Sequence, residues 1–231
     1  MAIVALDPAL VVTTIERLRD RINQRFPNSG LERVCDSLAS AAKRTESETA
    51  YIQAPNMLVR AGVGAVLALS LFLVLAAIRN LNLNPGAPKA LEIVSGVDAS
   101  INVLLLAAAG VAFLLTIETR LKRRRAIAAL QEIRGLVHVI DMHQLTKDPG
   151  MIGGARTSAS PDRDLTPFEL QRYLDYCTEM LSLAAKIAAL YAQAARDAQT
   201  EEAASDIERL ATNLSQKIWQ KISILRLSGG A

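Results

Sequence analysis

Aromatic side chains are scarce in this chain: Phe, Trp and Tyr make up 4% of its 231 residues, while hydrophobic residues of all kinds make up 51%. The apolar content is therefore carried by Ala, Leu, Ile and Val, which suits helices better than a sheet. Cysteine is nearly missing as well. Cys35 and Cys177 have neither a CxxC spacing nor the paired framework of a disulfide-rich domain. Both read as small buried hydrophobes, and as reduced thiols on the cytoplasmic side. Catalytic signatures are absent: there is no P-loop, no dinucleotide-binding fingerprint, no HExxH, no GxSxG and no kinase set. The run GMIGG at 150–154 follows no strand, as a phosphate loop would. The opening MAIVALDP has no early positive charge, and Asp7 cuts its apolar run short, so it does not read as a cleaved signal peptide. The first membrane helix is then expected to serve as its own insertion signal.

What the sequence has in excess is uninterrupted apolar chain. Residues 57–78, MLVRAGVGAVLALSLFLVLAAI, and 99–117, ASINVLLLAAAGVAFLLTI, are each long enough, at about 1.5 Å per residue, to cross a hydrocarbon core of roughly 30 Å. The first carries one charge, Arg60, near its end, where it can snorkel to headgroups or instead face a pore or a partner. The second carries none, and Asp98 and Ser100 are placed to cap it. Gly62 and Gly64 in the first run, and Ala107, Ala108, Ala109 and Gly110 in the second, allow close helix packing within a hairpin or between copies. The linking stretch 79–98 holds Pro85, Gly86 and Pro88 and few charges.

The net charge is +3, and its placement matters more than its size. Lys43 and Arg44 precede the first run, while Arg120, Lys122, Arg123, Arg124 and Arg125 follow the second at once. The positive-inside rule then puts both termini in the cytoplasm and the 79–98 loop outside. The same basic cluster suits the surface of a membrane containing anionic lipid. It has no aromatic platform beside it, so nucleic acid is not an expected partner.

The rest reads as helix. Asp7 and Pro8 make a cap and first-turn pair for a helix to about Phe26. Ser29 and Glu32 make a capping box for the next, whose apolar face is Leu31, Val34, Cys35, Leu38 and Ala42. After the second run no Pro or Gly occurs until Gly135, so that helix is expected to continue to about Lys147, with Ala126, Leu130, Ile133, Val137 and Ile140 on one side. The stretch 148–165 is rich in Gly, Ser, Pro and Asp and reads as a flexible loop. Thr166, Pro167 and Glu169 start another helix. That helix carries two apolar stripes, one through Leu170, Leu174, Cys177 and Leu181, the other through Tyr173, Tyr176, Met180 and Leu183. One seam would serve a two-stranded coiled coil; two require at least two neighbours, as in a bundle. A break is expected near Asp197 to Ala203, before a last helix with the seam Ile207, Leu210, Leu214, Ile218, Ile222 and Leu225.

The parts are accordingly N-terminal cytoplasmic helices (1–55), a transmembrane hairpin (56–118), a juxtamembrane basic helix (119–147), the loop (148–165) and a C-terminal helical hairpin packing on the N-terminal helices (166–231). The fold class is an all-α membrane protein, a two-helix transmembrane hairpin plus a cytoplasmic antiparallel helical bundle.

Polar clusters are few. His138, Asp141 and His143 in HVIDMH are metal-ligand types. His138 and Asp141 share a helix face, but His143 is turned from His138 by about 140°. A divalent metal there is the only cofactor the residues suggest, and a plain polar patch at the helix end is the alternative. Tyr173, Asp175, Tyr176 and Glu179 are expected nearby as a hydrogen-bonded network. Trp219 reads as packing or a protein contact.

In layout the chain resembles small two-span bacterial effector proteins thought to act as membrane pores, a resemblance of architecture that transfers no residue roles. The residues themselves suggest a non-enzymatic inner-membrane protein whose helical bundle mediates assembly, as a homo-oligomer or with a cytoplasmic protein partner. The alternatives are an oligomeric pore or signal-responsive effector, with Arg60 at the lumen or interface, and a membrane-bound metal-dependent enzyme using His138, Asp141 and His143.

Overall fold

A computed structural model of the chain describes residues 5–80, 89–147 and 165–228. Among these residues there is no strand, and six helices follow one another: α1 Pro8–Arg25, α2 Gly30–Gln53, α3 Met57–Asn80, α4 Lys89–Leu145, α5 Pro167–Ala195 and α6 Ala198–Ser228. They fall into two compact units. One comprises Met1–Gln53 and Arg123–Ala231, the other Ala54–Lys122.

The first unit is a five-helix bundle, and local chemistry sets most of its helix ends. Asp7 caps α1 by accepting from the Ala9 amide at 2.9 Å, with Pro8 in the first turn. At Thr166 the full capping box forms: its hydroxyl accepts from the Glu169 amide, and the Glu169 carboxylate accepts from the Thr166 amide. The expected box at Ser29 is only half made. Ser29 accepts from the Glu32 amide at 3.1 Å, but the Glu32 carboxylate turns to the Asn28 amide instead. The reason is the turn, which holds Asn28 at φ 58°, a left-handed conformation that Asn tolerates. Arg196, at φ 51°, ends α5 in the same way. The α5–α6 break thus falls at 196–197, and Asp197 caps α6 through Thr200. A left-handed residue replaces the Gly or Pro that the sequence lacks there.

Side-chain contacts give the helix directions. Gly30 lies at His143 and Tyr51 at Arg125, so α2 runs antiparallel to the 123–145 part of α4. Arg123 meets Asp197 while Lys221 meets Gln144, so that part of α4 runs parallel to α6. Leu6 pairs with Gln193 and Arg21 with Glu179, so α1 is antiparallel to α5. α5 is the central element and packs against α1, α2 and α6. Both expected stripes of α5 are buried, from Leu170 and Tyr173 to Tyr191 and Ala194. The α4 stripe Ala126, Leu130, Ile133, Val137 and Ile140 joins the same core. Cys35 and Cys177 are buried free thiols, and burial pushes both up to about 12.

The second unit contains α3 and the first part of α4. Each has a stretch long and apolar enough to cross a membrane. Gly62 lies beside Leu114 and Gly110 beside Val66: a step of four along one helix matches a step of four back along the other, so the two are antiparallel. At one end of the pair Glu118 accepts from the Asn56 amide at 3.0 Å, while Lys122 reaches both Glu118 and the Ala54 carbonyl at 2.7 Å.

One expectation about α4 needs correction. It starts at Lys89 rather than near residue 99, so helix occupies much of the expected 79–98 loop. Past Pro88 nothing in KALEIVSGVD prevents helix except Gly96, which costs only about 1 kcal/mol relative to Ala. Asp98 and Ser100 therefore lie inside a helix instead of capping one, and Ser100 donates to the Gly96 carbonyl. As expected, the second apolar run continues unbroken through the basic cluster, and α4 ends at Leu145. Pro85, Gly86 and Pro88, GMIGG, residues 148–164 of the expected loop, and Gly229 and Gly230 lie outside the described residues.

Because Ile187 is fully buried on α5, Ile187→Ala is expected to destabilise the bundle by about 2–5 kcal/mol. Leu10→Ala, at a site 65% exposed on α1, should stay within about 0.5 kcal/mol of the parent. Chemical denaturation in mild detergent, followed by circular dichroism, measures both.

Candidate functional site

The three residues of HVIDMH do not converge. His138 is exposed. Asp141 accepts from the Gln144 side chain at 2.6 Å, and the Gln144 side-chain and main-chain oxygens accept in turn from Lys221 at 2.7 and 3.0 Å. This chain of polar groups ties α4 to α6 and satisfies the buried Gln144. His143 points elsewhere, onto α2. No three His, Cys, Asp or Glu side chains among the described residues are grouped to hold a metal ion. The cause is the helical rotation between positions 138 and 143, which a straight α4 cannot undo.

His143 instead forms part of an open groove of about 430 Å³, lined by Phe26, Ser29, Gly30, Arg33, His143, Thr146, Lys147, Leu165 and Tyr173. The α1–α2 turn, the end of α4 and the start of α5 supply these residues. The imidazole lies directly against Gly30, where a Cβ would stand 2.3 Å from Cε1 and 3.0 Å from Nδ1. Burial, with the positive charges of Arg33 and Lys147 added, holds His143 below the usual imidazole range. Lys147 lies over the Tyr173 ring, 5.2 Å from its centre.

Of Tyr173, Asp175, Tyr176 and Glu179, the contacts run to α1 and to Arg172 and not to the histidines. Phe26 meets Tyr173 and Tyr176 edge-on at 5.5 and 6.2 Å. Glu179 accepts from both terminal nitrogens of Arg21, at 2.5 and 3.3 Å. Asp175 pairs with Arg172 at 3.1 Å, and Arg172 also lies over the Tyr176 ring at 4.9 Å. Only Tyr173 of the four lines the groove with His143. Sequence reasoning missed Arg33, Ser29 and Gly30 as parts of this region. The PNSG turn before α2 was a legible signal for its position, but which helix end lies against it is a tertiary fact.

The basic cluster is divided by its partners. Lys122 is held by Glu118 and the Ala54 carbonyl. Arg123 pairs with Asp197 at 2.8 Å and donates to Gln199. Arg125 stacks on Tyr51, 4.1 Å from the ring centre. Arg120 and Arg124 are exposed. Arg60, also exposed, sits in the first turn of α3, and its charge acts on Glu118. Trp219 is 54% exposed, with Arg226 over its ring.

Comparison with known proteins gives no match to this chain, whether among protein families, characterised proteins or solved structures.

The contact between Gly30 and His143 predicts a change of sign. Gly30→Ala alone should destabilise by about 1–3 kcal/mol, because the ring must move out of a packed position. In a His143→Ala background the same change should be neutral or stabilising, by up to roughly 1 kcal/mol, since Ala is the better helix residue. Unfolding midpoints of the four variants test this as a double-mutant cycle.

Proposed function

We propose that the chain is a non-enzymatic inner-membrane protein in which α3 and α4 cross the bilayer as a hairpin, both termini face the cytoplasm, and the helical bundle mediates assembly. One observation carries the membrane part. In the most apolar 18-residue window of α3 none of the residues is buried, and in that of α4 only 6% are. A core helix of a soluble protein with this composition would be mostly covered. Leu67, Leu71, Phe72, Leu75, Leu104, Leu106 and Phe113 are all more than half exposed, a contiguous apolar surface far beyond what water tolerates. The charges bounding the pair support the orientation. Arg60, Glu118, Lys122 and Arg120 gather at the end that joins α2 and the remainder of α4, which fits the positive-inside rule.

Self-association is the form of assembly that the spans support best. The α3–α4 contact uses Gly62, Val66 and Gly110, while Gly64 has no atom within 4 Å of where a Cβ would be. Gly64 and Ala68, one turn apart, thus present a second small-residue face directed away from α4, the kind on which helices from two copies approach closely. A pore of several copies is the second reading. The placement of Arg60 in the first turn of α3, beside Glu118, fits headgroup depth better than the middle of a lumen. The helical rotation between His138 and His143 leaves the metal-enzyme reading without a constellation.

Gly64→Leu discriminates between these contacts, because a Cβ there faces open space among the described residues of one copy. The expected outcome is a fully folded protein with a smaller mass in mild detergent by light scattering, with at least about a tenfold weaker association. An unchanged oligomer would remove this face from the assembly, and a monomeric parent protein would contradict self-association altogether.

A further inference from the structure

The groove beside His143 has a lining of one electrical sign. Arg33, His143 and Lys147 bring nitrogen donors, Ser29 and Thr146 bring hydroxyls, and none of the described lining residues is acidic. The start of α2 adds to this. The first four amides of a helix have no acceptor inside it. The Ser29 amide donates to the Phe26 carbonyl and the Glu32 amide to the Ser29 hydroxyl. Those of Gly30 and Leu31 have no acceptor among the described residues. Their partial positive charge adds to that of the side chains.

Arg33 lies one turn into α2 and is exposed. Its guanidinium donates to the Asn28 carbonyl at 3.3 Å through one terminal nitrogen, and the fork has further donors. His143 is held against Gly30 at the same helix start. Lys147 approaches from the end of α4 and contributes to the positive field at His143. Donors therefore reach this groove from the α1–α2 turn, from α2 and from the end of α4.

We propose that this groove binds a small soluble phosphate-bearing anion, held by Arg33, His143 and Lys147 at the start of α2. The geometry fits phosphate better than carboxylate. A tetrahedral anion presents three terminal oxygens to donors arriving from separate elements, and a planar carboxylate presents two. A guanidinium fork and a helix start are each suited to phosphate oxygens. The site lies wholly within the bundle and does not depend on the assembly reading.

The two histidines of the chain give a direct test. His138 is exposed and lies outside the groove, so it is an internal control for His143. The full chain, labelled with ¹⁵N and ¹³C at histidine in uncharged detergent, is titrated with inorganic phosphate and with glycerol 3-phosphate, at fixed pH and constant ionic strength. The imidazole signals of His143 should move saturably, with half-saturation below about 1 mM, while those of His138 stay in place. Arg33→Gln, a change at an exposed side chain, should weaken binding by about tenfold or more. The proposal is overturned if chloride moves His143 as phosphate does, if no saturable change occurs, or if Arg33→Gln binds like the parent. It is also overturned if His143 responds only in nanodiscs containing phosphatidylglycerol and not to the soluble anions, since the ligand is then a lipid headgroup.

Discussion

An apolar helix surface with no protein against it is costly in water, and the exposed apolar surface of α3 and α4 is the constraint on which the proposed account rests. The apolar windows of α3 and α4 meet at contacts that include Gly62 with Leu114 and Gly110 with Val66. Almost none of the residues in these windows is buried. At about 25 cal/mol per Å² of apolar surface, leaving it in water would oppose a fold whose net stability is only about 5–15 kcal/mol. A bilayer removes the penalty, and helices meet its other demand because they satisfy their own backbone groups. The polar ends of the pair agree with this. Where the apolar residues stop, Glu118 and Lys122 take the Asn56 amide and the Ala54 carbonyl, just before the start of α3.

The bundle follows the opposite rule. Its apolar surface is turned inward, and α5 shows why a single partner helix is not enough. A helix with two apolar stripes cannot be covered by one partner, and α5 is enclosed by α1, α2 and α6. The buried ring of Tyr191 keeps its hydroxyl satisfied by donating to Glu48 on α2, as a phenol in a core must. The exposed ion pairs around this core, such as Lys43 with Glu16 at 2.8 Å, contribute little.

Periodicity and capping residues were legible in the sequence because both are local. The pairs Asp7–Pro8 and Thr166–Glu169 mark helix starts at the positions found, and the α4 and α5 stripes are the buried ones. Less legible were boundaries set by conformation without a marker residue. The α5–α6 break rests on a left-handed Arg196, and no composition announces it. The start of α4 at Lys89 was hidden because turn-forming residues before it suggested a longer loop. The histidine cluster failed for a geometric reason. Closeness in sequence places His138 and His143 on different sides of α4, and the partners that His143 does have, Gly30 and Arg33, are more than a hundred positions away. Contacts of that kind are invisible to spacing and depend on which helices become neighbours.

The central claim is that the chain between α3 and α4 lies across a bilayer from the bundle. The two native cysteines are buried thiols and give little background with a thiolate-selective reagent. Asn82→Cys, in the connection between the two apolar helices, and Ser223→Cys, at an exposed position of α6, can therefore be compared in intact cells with a membrane-impermeant maleimide. The account predicts that the cysteine at 82 is labelled at once and that at 223 only after lysis. Equal labelling of both positions in intact cells, or protection of both, would contradict it.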